Sequence, residues 1–109
     1  MDENVKKDIL AAIAKEKELS IEEHGYFHSD HEFWAVLKDV IEELDSDINH
    51  LSVDRMSDLW YHVKINKPLT DRIWGFDMDY LKEITMNVIY ETIQIAAAID
   101  RYLEGEKKK

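Results

Sequence analysis

The chain of 109 residues has no cysteine, which excludes disulfides, thiolate metal sites and cysteine nucleophiles. It has a single proline and three glycines. With so few natural breaks and little strand-like alternation, the composition favours an all-helical domain. No apolar run reaches the roughly 18 residues of a membrane span, and the acidic start MDENVKKD lacks the cationic-then-apolar order of a signal peptide. Cations are also in short supply: 14 Lys and Arg stand against 24 Asp and Glu, a formal charge of −10. Such a chain repels nucleic acid and anionic lipid. A soluble, cytoplasmic protein with neither partner is expected. The length suits one core and no more, so residues 1–104 read as a single domain followed by a solvated tail, 105–109.

What the chain does have is helical periodicity. From Asp2, a fitting N-cap, to about His24, Val5, Ile9, Ala12 and Ile13 recur at helical spacing, with a kink or fraying expected near Ser20 and Gly25 as a left-handed C′ residue. The following loop, Gly25 to His28, carries Tyr26 and Phe27, too apolar to stand in water and expected to fold back on the helices. Residues 29–51 give the clearest early helix. Ser29 and Glu32 form a capping box, and Phe33, Leu37, Val40, Ile41, Leu44, Ile48 and Leu51 make one apolar stripe. Ser52 reads as the N-cap of a short third helix with Val53, Met56, Leu59, Trp60 and Val63, broken by Asn66, Lys67 and Pro68. Leu69 to Phe76 is a connection with one helical turn around Ile73 and Trp74. Asp77 to Leu103 is the longest pattern, with Leu81, Ile84, Val88, Ile95, Ala98, Ile99 and Tyr102 as its buried stripe and Gly105 as its stop. The expected architecture is all-α and four-helix-bundle-like.

Acidic residues border the apolar faces. Asp39, Glu42, Glu43 and Asp47 run beside the stripe of the second helix. Glu91 falls within the stripe of the last helix, where an apolar residue would be expected, with Asn87, Gln94, Ala97 and Ala98 as neighbours. A carboxylate removed from water costs several kcal/mol unless it is paired or metal-bound. If the two helices pack antiparallel, Asp39, Glu42, Glu43, Glu91 and Gln94 converge, and an all-oxygen set of this kind suits Mg²⁺ or Mn²⁺. The plain alternative is a solvated acidic face.

The segment EEHGYFHSDHEFWAVLKDVIEEL, Glu22 to Leu44, resembles the opening of the MazG-like nucleoside triphosphate pyrophosphohydrolases, particularly small phage and bacterial members. YETIQIAAAIDRYL, Tyr90 to Leu103, is similar to their closing helix. The two segments cover about a third of the chain, and neither is specific alone. The resemblance implies an all-α bundle, a dimer or tetramer, that holds Mg²⁺ between two helices and cleaves a nucleoside triphosphate between the α and β phosphates. It also implies metal ligation by Glu43 and Glu91, with Asp39 and Glu42 as further ligands or as a base orienting water, and Arg101 as a phosphate contact. Two positions depart from the family pattern: the leading Glu of the first motif falls on Val40, and the Asp of the second is Gln94. A relative that binds a nucleotide without cleaving it, or a structural helical interaction protein, are the rival expectations.

Other groups read more simply. His24, His28 and His31 are interrupted by Gly25 and its loop, so packing or capping is expected of them rather than a metal triad. Trp34, Trp60 and Trp74 suit a core or a subunit interface better than base stacking.

Overall fold

In the computed structural model, residues 1–72 and 77–109 are described, and among them there are helices and no strands. The helices are α1 (Glu3–His24), α2 (Asp30–Asn49), α3 (Met56–Lys64) and α4 (Met78–Lys107), with a π-helical segment, His50–Arg55, joining α2 to α3. The helical turn expected around Ile73 and Trp74 lies outside the described residues.

Three helix starts follow from local chemistry. The Asp2 carboxylate accepts from the backbone N–H of Asn4 and Val5 at 2.9 and 3.1 Å. Ser29 Oγ accepts from Glu32 N at 3.1 Å, and Asp77 Oδ1 from Tyr80 N at 2.7 Å. Each such cap is worth about 1 kcal/mol. α1 continues as helix past Ser20 to His24, so the chain does not fray there. Gly25 then turns the chain at φ 76° and ψ −165°. The φ is positive as expected, but the extended ψ leaves the left-handed helical region for one that essentially only glycine occupies. At the end of α3, Asn66 takes φ 58°, and Lys67 N donates to His62 O at 3.0 Å, the closing bond of a Schellman turn.

Two expected boundaries are not boundaries. Ser52 does not begin a helix: its hydroxyl lies 3.5 Å from the Asn49 carbonyl, inside the π segment, and the backbone passes through helical angles from α2 into α3. Gly105 does not end α4. It sits within the helix because a Cβ there would lie 3.3 Å from the Tyr26 Cβ and Cδ1 atoms, so its bare backbone makes room for that ring. The residues expected as a solvated tail therefore continue the helix to Lys107.

α4 is the organising element. α1 and α2 both lie against it but, among the described residues, not against each other; α3 runs against the π segment and buries His62, whose Nδ1 lies 3.2 Å from the Pro68 carbonyl oxygen. Within one chain the helices form an open arrangement, not a closed four-helix bundle. Lys17 Nζ to Glu104 Oε2, 3.6 Å, and Tyr90 Oη donating to Glu16 at 3.2 Å tie α1 to α4. The Gly25–His28 loop does fold back. Phe27 is buried, edge-on to Phe33 with ring centroids 5.3 Å apart, and Phe33 stacks on Tyr102 at 4.5 Å. Tyr102 Oη donates to Asp30 at 2.7 Å, holding the N-terminus of α2. At the other end of α2, His50 meets Tyr80 with ring centroids 6.2 Å apart. The buried apolar set among the described residues is small: Phe27, Ile84, Ala97 and Ala98.

Candidate functional site

Two charged side chains of α4, Glu91 and Arg101, are buried. With Gln94 and Ala98 they recur at steps of three, four and three residues, so all four lie on one face of the helix. The Gln94–Arg101 part of that face lines a groove of about 500 Å³ in which Gln94, Ala98 and Arg101 meet Glu32, Val36 and Val40 of α2, with Glu16, Ser20 and Glu23 of α1 opposite; Glu91 is buried on the same helix face and does not line the groove. The groove exists because α1 and α2 flank α4 without closing over it.

At the cationic end, Arg101 Nε donates to the Gly25 carbonyl at 2.8 Å. Its guanidinium carbon lies 3.8 Å from the Phe27 ring centre. Burial pulls its pKa below the usual value, while the charge of Glu32 opposes that shift. The buried cation is therefore partnered by a carbonyl and a π face, and it fastens the loop to α4.

At the acidic end the opposite holds. Glu91 is 8 % exposed, and its Oε2 is sealed from solvent with no hydrogen-bond partner among the described residues. Its pKa is raised to about 7, first by burial, then by the Asp47 carboxyl within hydrogen-bonding reach and the charges of Asp47 and Glu43. Two carboxylates can share a hydrogen bond only if one carries a proton, so Glu91 is held in conflict with its neighbours at neutral pH.

Across the α2/α4 seam, Asp47 is the α2 carboxyl that acts most on Glu91, and Glu43 acts on it only through its charge. Asp47, on the border of the α2 stripe, is not among the expected ligands; its place one turn beyond Glu43 is the signal in the sequence that points to it. Asp39 and Glu42 are not brought to Glu91. Both are exposed, as Glu43 is; Glu42 pairs with Lys38 one turn earlier, and Asp39 acts on the same lysine. At 3.6 residues per turn Asp39 lies about 40° and Glu42 about 100° round the helix from Glu43, and the position of α4 decides which of them face inward. Gln94 lies on the groove floor beside Tyr90, whose phenol is raised by burial and by Glu16 and lowered by Gln94.

The three histidines go separate ways. His28 Nδ1 is 3.0 Å from Glu32, His24 is 3.7 Å from Glu23, and His31 stands beside Trp34. Trp34 and Trp60 are 56 % and 63 % exposed; Trp74 lies outside the described residues. No three His, Asp or Glu side chains among the described residues converge closely enough to cage an ion by themselves. No described helix is long and apolar enough to cross a membrane. No family model, curated protein or solved structure matches the chain.

Proposed function

We propose that the chain is a Mg²⁺-dependent, MazG-like nucleoside triphosphate pyrophosphohydrolase that works as a homo-oligomer, with the buried Glu91 carboxyl at the α2/α4 seam as its reaction centre. The observation that carries this reading is the orphaned, buried oxygen of Glu91, set against Asp47 and Glu43. A buried carboxylate without a donor is stabilised by a hard cation more directly than by anything else in a chain so poor in basic groups. Glu91 and Asp47 would hold the ion, with Glu43 adding negative charge nearby. The absence of a complete cage among the described residues is compatible with Mg²⁺, which keeps several waters and takes one or two protein carboxylates along with substrate phosphates. When bound, the ion would polarise phosphoryl oxygens and offset the repulsion between an acidic site and an anionic substrate.

The remaining roles belong to the chain itself. Arg101, fixed by the Gly25 carbonyl, presents positive charge to the groove about 15 Å along α4 from Glu91, at 1.5 Å per residue. Gln94 lies between them as a neutral donor and acceptor. The products would be a nucleoside monophosphate and pyrophosphate. Asp39 and Glu42 face outward and take no part.

A second reading is favoured by Val40 and Gln94, both of which line the groove where the family pattern has acids: a relative that binds a nucleotide and does not cleave it. Incubation with Mg²⁺ and a panel of ribo- and deoxyribonucleoside triphosphates separates the two. Pyrophosphate release that disappears in Glu91→Gln supports the enzyme. Binding by calorimetry without release selects the sequestering relative, and neither binding nor release removes both.

A further inference from the structure

α2, the π segment and α3 carry two parallel apolar seams. Leu37, Leu44, Leu51 and Leu59 form the inner one and are half-buried. Trp34, Ile41, Ile48, Met56 and Val63 form the outer one and are 56, 45, 46, 52 and 50 % exposed. Both seams advance by sevens, except for one step of eight across the π segment. In an unbroken α-helix an eight-residue step would swing a side chain about 80° off its line. The wider turn of His50–Arg55 takes in the additional residue, so both seams stay in phase from α2 into α3. The outer seam is thereby one strip about 44 Å long at 1.5 Å per residue, with the heptad spacing of a helix that packs against another helix.

The chain also has more surface than a folded monomer of its mass. Its accessible area is 7984 Å², against about 6,300 Å² for a monomer of its size. Its radius of gyration is 18.1 Å, against about 13 Å for a compact domain of this length. The surplus, about 1,700 Å², falls within the roughly 1,000–2,500 Å² that each protomer gives to an obligate homodimer.

We propose that the outer seam is the interface with a second copy of this chain, set antiparallel about a two-fold axis at Ile48. In that arrangement Trp34 meets the partner's Val63 and Ile41 meets the partner's Met56, so large side chains face smaller ones and each layer fills similarly. The exposed side of α3, with Met56 and Val63, then lies along α2 of the other copy. Such a pairing is isologous and closes at two, satisfying the symmetry that a soluble dimer requires. The seam is uncharged while each copy carries −10, so association tightens as salt screens the repulsion between copies.

Sedimentation equilibrium at micromolar concentrations tests the interface without reference to nucleotide turnover. The expected mass is an even multiple of 12.9 kDa, with several-fold tighter association in 0.5 M than in 0.05 M salt. Ile48→Glu gives the single-chain mass with its helical circular dichroism retained, whereas Leu10→Glu, on the exposed face of α1, leaves the mass unchanged. Because the chain has no cysteine, Ile48→Cys supplies a second readout: oxidation yields a covalent dimer, and Leu10→Cys does not. A wild-type chain that sediments at 12.9 kDa throughout overturns the proposal. So does association that survives Ile48→Glu, or an Ile48→Cys protein that associates but does not cross-link.

Discussion

The two buried charges of α4 sit ten residues apart on one face and differ in every respect that matters. Arg101 has a carbonyl acceptor and an aromatic face, and its environment was supplied by the fold-back of a distant loop. Glu91 has two like-charged neighbours and an oxygen with no donor among the described residues. A satisfied buried charge is a fastening; an unsatisfied one is an unfinished site. The comparison assigns stability to the Arg101 end of this helix face and chemistry to the Glu91 end.

The comparison breaks most readily at the fastening. Phe27→Ala removes a buried ring that supports both Phe33 and the guanidinium, and is expected to cost about 3–5 kcal/mol in urea unfolding. Arg101→Ala removes a charge-assisted hydrogen bond and a cation–π contact and should cost about 2–4 kcal/mol, with little rescue by lysine, which cannot present the same planar fork.

The acidic end behaves in the opposite sense. Because the folded-state pKa of Glu91 is raised from 4.5 to about 7, the folded chain holds this proton more tightly than the unfolded chain. The stabilisation from Glu91 is full below pH 4.5 and is lost as pH rises through 7. Glu91→Gln should therefore be more stable than wild type by roughly 1–3 kcal/mol at pH 8 and near neutral at pH 4.5, measured as the pH dependence of the urea midpoint in metal-free buffer. A variant that is destabilised equally at both pH values would put Glu91 in the same class as Arg101. The smallest effect tests the turn that links the fastening to α1. Gly25→Ala should cost about 1–2 kcal/mol, since a side chain is strained at φ 76° even though nothing lies within 4 Å of its Cβ position.

The features legible in the sequence are those set by near neighbours. Asp2, Ser29 and Asn66 announce helix ends through groups a few residues away, and the structure has them there. Glu91 was conspicuous because it interrupts an apolar stripe. The misread features depend on partners far along the chain. Gly105 looks like a stop until Tyr26, from the other end of the molecule, occupies the space its missing side chain leaves. Ser52 looks like a cap until the seam on both sides of it is seen to need an additional residue per turn. Asp39, Glu42, Glu43 and Asp47 lie within about 140° of arc on α2, and periodicity alone does not say which of them α4 will face. Arg101 read as a phosphate contact because its structural acceptor, the carbonyl of Gly25, lies 76 residues away.

The most direct measurement of the claim that the Glu91 end is an unfinished cation site is the thermal midpoint with and without 10 mM Mg²⁺, at pH 8 and pH 5, for wild type and Glu91→Gln. Binding to the folded state alone raises the midpoint. The account predicts a rise for wild type that is larger at pH 8, where the ion does not compete with a proton, and no rise for Glu91→Gln at either pH. A wild-type midpoint unmoved by Mg²⁺ at pH 8, or moved equally in Glu91→Gln, would contradict it.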